Sequence, residues 1–374
     1  MRTEININAN MISWAISRAG YDLHEFLTSS PKIKDWIENK KKPTLKQLEK
    51  FSHKVHIPFG YLFLQNPPVE KLPIPFFRTD KTTEDVSLNV YDTILLMQKR
   101  QEWLTNYLKE SGFDTHKYVG KFNINSDYKE IVNDIRETLG LNEDWARSFQ
   151  TWEKSLDFLT EKVEEIGVIL TFNSVVGNNT SRPITVDECR GFVLVDKLSP
   201  FMFVNTADGK AAQMFTIVHE LAHIWTGQSA GFDFRKLQPA DEPIEELCDK
   251  VAAEFLVPEE AFGIEWEKNT NFIKIGRVFK VSPIVIARRA LDLKKISKTE
   301  FFTFYNDYIK GFRIKKETQS GGGDFYATAK KRISLSFAAH INHAVKTNKL
   351  PYREANKLTG LKGDTYHNFI TKNF

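Results

Sequence analysis

The chain has 374 residues, of which 41% are hydrophobic and 27% charged, a composition that excludes a disordered or collagen-like protein and leaves room for two or three domains. Its net charge of +4 is too small an excess to argue on its own for a nucleic-acid partner. The two cysteines, Cys189 and Cys248, form no CxxC pair, which excludes a disulfide framework and a zinc ribbon.

The first residues lack the apolar run of a secretory signal. No window reaches the length of apolar sequence that spans a bilayer, so a cytoplasmic protein without membrane contact is expected. Short helices are expected over Asn8–Arg18 and Leu23–Leu27, and a third begins at Pro31 with Ser30 as its cap. Thr44 and Gln47 have the spacing of a capping box, followed by Leu48, Phe51 and Val55 on one helical face. These elements make a helical bundle over residues 1–70. Lys40, Lys41 and Lys42 cluster after its third helix and are the candidates for phosphate contact. The run PPVEKLPIP is extended and poor in helix, so residues 71–83 are expected to be a linker.

A long helix is expected over residues 84–112, with Val86, Val90, Ile94, Met97, Trp103 and Leu104 on its buried stripe, and further helices over 127–140 and 150–166. The period then changes. VILTF (168–172), RGFVLV (190–195) and FMFVN (201–205) are short β-rich runs between turn signals and predict a small sheet of three strands or more. Lys210–Thr226 and Glu245–Leu256 return to a helical pattern. Residues 84–265 are expected to be one domain and 266–374 a helical C-terminal region, with a flexible joint at the SGGG of 320–323 and a basic stretch at Lys330, Lys331 and Arg332. The fold class is therefore α+β, mostly helical.

The chemistry concentrates in MFTIVHELAHIW. His219 and His223, four residues apart, share one helical face, and both imidazoles can reach one metal ion. Zinc takes imidazole nitrogen readily, and a catalytic zinc has three protein ligands and one open position. Glu220, beside them, is placed to accept a proton from water as general base rather than to ligate. Glu245 is the best candidate for the third ligand, with Glu246 its rival one residue on. Asp249, four residues past Glu245, is suited to orient a ligand histidine through its other ring nitrogen. Cys248 has the chemistry to ligate zinc as a thiolate, but between Leu247 and Val251 it reads as a packing residue, and Cys189 as a packed strand residue. The strands Arg190–Val195 and Phe201–Asn205 are expected to offer an edge to an extended substrate peptide. Tyr326 is a weak candidate for an additional oxyanion donor.

AAQMFTIVHELAHIWTG followed by EELCDKVAAEFLVP resembles the ImmA/IrrE family of metallopeptidases, as does RGFVLVDKLSPFMFVNTADGK before it. PTLKQLEKFSHKVHIPFGYLFL is similar to an XRE-type helix-turn-helix domain. The resemblance spans most of residues 10–295 and is most specific over 211–258. It implies a minimal gluzincin, thermolysin-like core with one Zn2+ per chain on His219, His223 and Glu245, and Glu220 catalytic. It also implies a substrate class, a DNA-binding repressor or antitoxin protein whose cleavage controls transcription of a mobile-element, stress-response or toxin–antitoxin locus. DNA through the N-terminal domain and a toxin protein are the further partners it suggests. Relatives often carry Asn where this chain has Asp249, and Asp keeps a hydrogen-bond acceptor there. The second reading of the sequence is a DNA-binding regulator or antitoxin whose metal site is structural or sensory.

Overall fold

The computed structural model describes residues 4–68, 76–77, 86–232, 242–316 and 325–374; the side chains of 76–77, 230–232, 309, 311–316 and 325–327 lie outside that description. The chain divides into two compact units, one formed by Met1–Pro73 with Val86–Tyr91, the other by Ile74–Asp85 with Asp92–Phe374.

The smaller unit holds four helices, α1 (Ala9–Arg18), α2 (Leu23–Ser29), α3 (Pro31–Ile37) and α4 (Leu45–Lys54), and a 3-10 turn over Phe59–Phe63. Asn8 and Asp22 cap α1 and α2 with their side chains. At α4 the capping box is formed, with Gln47 Oε1 accepting from the Thr44 amide at 2.8 Å. Ser30 precedes α3 without a side-chain cap bond, and Pro31 fixes that helix's first turn. Ile12, Ile16, Phe26, Trp36, Leu48 and Phe51 are the centre of its core. Lys40 and Lys41 lie past the end of α3 and pair with Glu38 at 2.6 Å and Asp35 at 2.8 Å; Lys42 is exposed. Most of the expected 71–83 linker lies outside the described residues. Its Phe76–Phe77 are not linker but a strand, β1, because two consecutive β-prone aromatics follow the last proline.

Helix α5 (Leu88–Glu110) begins in the smaller unit and belongs to the larger one from Asp92 on, which continues through α6 (Tyr128–Leu139), a 3-10 turn at Trp145–Ser148 and α7 (Trp152–Glu165). Val90, Ile94, Met97 and Leu104 are buried along α5, whereas Val86 and Trp103 are only partly so. The strands β2 (Ile169–Asn173), β3 (Val175–Val176), β4 (Asn179–Pro183), β5 (Gly191–Leu194) and β6 (Phe201–Asn205) lead into α8 (Lys210–Thr226), β7 (Ala230–Phe232) and α9 (Pro243–Leu256). The remainder is helical: α10 (Glu259–Lys268), α11 (Phe272–Phe279), α12 (Pro283–Asp292), α13 (Lys298–Lys316), α14 (Phe325–Ile333), α15 (Leu335–Lys346), α16 (Tyr352–Thr359) and α17 (Asp364–Asn373). The SGGG joint lies outside the described residues.

One sheet runs in the order β1-β7-β5-β6-β2, and β3 and β4 form a separate hairpin. The three expected strands are its β2, β5 and β6. β6 is paired with β2 on one side and β5 on the other, and β5 pairs with β7. The expectation that β5 or β6 offers a free edge is therefore corrected: two short strands, β7 and β1, continue the sheet beyond β5. A single core joins α6, α7, the sheet, α8 and α9 to Ile275 and Phe279 of α11 and to Val285 and Ile286 of α12. The packing consequently has no break at the expected 265/266 border. Among the described residues, no helix is long and apolar enough to cross a membrane.

Candidate metal centre

Helix α8 is the centre of that core. Every residue from Gln213 to Thr226 is buried, as expected of a helix covered by a sheet on one side and by helices on the other. It stops at Gly227, whose φ of 74° is the left-handed conformation that glycine adopts without strain and whose amide donates to the His223 and Ile224 carbonyls. The α8 C-terminus is held from outside as well: Trp225 stacks on Tyr118 and donates its Nε1–H to Asp134 at 2.7 Å. Helix α9 starts with Pro243 in its first turn, where Glu245 and Glu246 also lie and favour the positive end of the helix dipole.

These two helices bring the predicted residues together. His219 Nε2 and His223 Nε2 are 3.2 Å apart. Glu245 places Oε2 3.2 Å from His219 Nε2 and Oε1 3.1 Å from His223 Nε2. Asp249 Oδ1 is 3.1 Å from His219 Nδ1. A proton on Nδ1 facing that carboxylate leaves the Nε2 lone pair of His219 directed at the centre. Glu246 turns the other way; its side chain is 52% exposed and pairs with Lys250 at 2.7 Å. Both histidines and Glu220 are fully buried, and Glu245 nearly so. Among the described residues, both Glu220 carboxylate oxygens and His223 Nδ1 are buried without a hydrogen-bond partner. The ligand atoms of His219, His223 and Cys248 also lie within 4.8 Å of one another.

The charges are strongly coupled. Burial opposes ionisation of Glu245, but the two imidazoles outweigh it and hold its carboxyl well below the usual range. Burial likewise opposes a charged His219, yet Asp249 and Glu245 raise its proton affinity. At His223 burial prevails over Glu245 and lowers the ring's proton affinity. Burial pushes the Glu220 carboxyl well above its ordinary value; the nearby His219 opposes that shift and the Glu245 charge adds to it. The Cys248 thiol is also pushed up, by burial first and then by Glu245, Glu220 and Asp249.

Two imidazole nitrogens 3.2 Å apart thus face the two oxygens of one carboxylate, each oxygen 3.1–3.2 Å from one of the nitrogens. Zinc held at its usual bond lengths by tetrahedral ligands spaces them about 3.3 Å apart. The donor set is the imidazole-plus-carboxylate kind that zinc accepts, so the residues fit the metal.

Gly191, at the start of β5, was not among the residues singled out from the sequence. A Cβ there would lie 2.4 Å from Thr216 Cγ2, 2.9 Å from the Phe203 carbonyl oxygen and 3.4 Å from Glu220 Oε1. Its signal was a glycine inside a strand pattern, which marks a close approach. Tyr326 lies in α14, but its side chain is outside the described residues.

Comparison with known proteins bears on this centre. Residues 163–291 match the IrrE N-terminal-like domain, a family of M78 peptidases. His219, Glu220, His223, Glu245 and Asp249 all fall within the match, which supports a metallopeptidase domain of the ImmA/IrrE type. Residues 333–372 match a domain of unknown function (DUF8813). No curated protein and no solved structure matches the chain.

Proposed function

We propose that the chain is a zinc-dependent endopeptidase, with His219, His223 and Glu245 as the metal ligands, Asp249 orienting His219 and Glu220 as the general base. The observation that carries this reading is the buried cluster of two imidazole nitrogens and the Glu245 carboxylate, with the unpartnered, buried Glu220 carboxylate on the same helix as the histidines. A divalent ion there supplies positive charge that acidifies water and polarises a peptide carbonyl. Glu220 takes the proton from the attacking water and passes it to the leaving amine; a carboxyl whose proton affinity burial has raised is suited to both transfers. Asp249 keeps the His219 ring in one tautomer and one orientation.

The substrate class rests on the resemblance of the sequence alone. It is a DNA-binding repressor or antitoxin, with the N-terminal unit as a module that docks on DNA or on a protein. A metal that is only structural or sensory, as in a DNA-binding regulator, has no use for a buried carboxylate between the two ligand histidines, and Glu220 therefore favours hydrolysis.

The test is co-expression with repressor, antitoxin and toxin proteins from the neighbouring locus, wild type against Glu220→Gln, read by intact-mass spectrometry. The wild type is expected to yield paired fragments of one partner. Glu220→Gln is expected to yield none while retaining one metal per chain. Equal persistence of every intact partner in both strains refutes proteolysis of those proteins.

A further inference from the structure

The hydrolytic reading leaves one side chain of the centre without a task. Cys248 follows Glu245 by three residues on α9, which puts both on the face that meets α8. It is fully buried and in no disulfide. Its sulfur and the ligand nitrogens of His219 and His223 all lie within 4.8 Å of one another. A tetrahedral zinc site spaces a sulfur and a nitrogen ligand about 3.5 Å apart, a spacing that the 4.8 Å limit allows. A second observation points to a ligand at this centre: both oxygens of Glu220, next in the chain to His219, are buried without hydrogen-bond partners among the described residues.

We infer that Cys248 is a fourth protein ligand, so that the resting metal centre is His219–His223–Glu245–Cys248. The inference rests on the metal reading above and deepens it. Metal uptake forms one metal–sulfur bond and breaks the S–H bond, and the thiol proton leaves to solvent. Four protein ligands make a closed site of the structural kind, whereas catalysis needs an open position. The resting centre is consequently latent. Water gains its place beside Glu220 when the metal–sulfur bond breaks and the thiolate takes back a proton from solvent.

The full-length chain is stripped of metal and reloaded with Zn2+ for X-ray absorption, and with Co2+ for optical spectroscopy. The wild type is expected to show one sulfur neighbour at about 2.3 Å from zinc and a thiolate-to-cobalt charge-transfer band in the near ultraviolet. Cys248→Ser and Cys248→Ala are expected to keep one metal per chain and to lose both signatures. Cys189→Ser, a change at the other cysteine, is expected to keep both. The zinc spectrum of the wild type decides the matter even where a Cys248 variant folds poorly. A shell of nitrogen and oxygen only, with metal bound stoichiometrically, overturns the role of Cys248 and leaves the His219–His223–Glu245 centre standing. Failure of the wild type to take up any metal overturns both.

Discussion

At Asp249 the test is of how firmly His219 is held. Asp249→Ala removes the acceptor opposite Nδ1 and is expected to weaken metal binding roughly 10–100-fold, read by competition with a chelator of known affinity. Asp249→Asn keeps an acceptor oxygen and is expected to lose less; equal losses would mean that the carboxylate does not act through the ring. At Gly191, substitution by Ala drives a methyl group into Thr216 and the Phe203 carbonyl. The expected cost is about 1–3 kcal/mol of stability, seen in the urea midpoint, and it is only partly relieved by shortening Thr216 because the carbonyl belongs to the backbone. Both histidines and Glu220 were legible in the sequence because a four-residue step on a helix is itself a geometric statement. Glu245 against Glu246 was not: one residue turns a side chain by about 100°, and only the docking of α9 on α8 decides which faces the histidines. Cys248 reads as packing from Leu247 and Val251 in the chain, whereas in space its sulfur lies within 4.8 Å of an imidazole nitrogen of both His219 and His223.

Helix α9 brings Glu245 and Asp249 to the centre, and its far end is fixed by two arginines. Arg136 donates to the carbonyls of Glu254 and Phe255 at 3.1 and 3.3 Å, and Arg289 donates to that of Val257 at 3.0 Å and pairs with the Glu254 carboxylate. Arg289→Met strands a buried carboxylate and is expected to cost about 3–5 kcal/mol. Adding Glu254→Gln is expected to recover part of that loss, and a double-mutant cycle by denaturant titration measures how much. A second link joins α7 to α15: Ser334 donates to Glu164 Oε1 at 2.8 Å. Burial raises the Glu164 carboxyl above its ordinary value of 4.5, and the Ser334 bond only partly offsets this. A raised acid contributes its stability in full below that ordinary value and loses it as pH rises through the raised one. Glu164→Gln is therefore expected to match the wild type in acid and to melt at a higher temperature near neutral pH; parallel melting curves across that range would refute the assignment. Helices such as α8 and α9 were legible because their apolar positions recur at helical spacing. The strands β1 and β7 were not, being two and three residues long and existing only through pairing with their neighbours.

Each of the two units has its own apolar core, and the proposed metal ligands all belong to the larger one. A ligand stabilises only the unit that binds it, by about 2.7 kcal/mol at a hundredfold excess over its dissociation constant. Calorimetry with and without Zn2+ is therefore expected to shift the melting of the larger unit and leave that of the smaller unchanged. Prolines stop helices for a local reason, but the smaller unit runs to Pro73 and takes in Val86–Tyr91 as well, a return that the local pattern does not show. One core crosses the expected 265/266 border, because apolar residues of α11 and α12 pack with those of α8 and α9, which the local pattern cannot see. The same holds further along the chain. Arg100, midway along α5 and fully buried, donates to the carbonyls of Leu358 at 2.8 Å and Arg332 at 3.2 Å. Those two acceptors bracket most of the segment that matches a domain of unknown function. Trimming the chain before residue 333 would strip Arg100 of its oxygen partner at Leu358 and of the Phe337 ring that its guanidinium faces. The last forty residues are thus a keystone of the enzyme's body, and a shortened version should emerge from cells as inclusion bodies rather than as a trimmed protease.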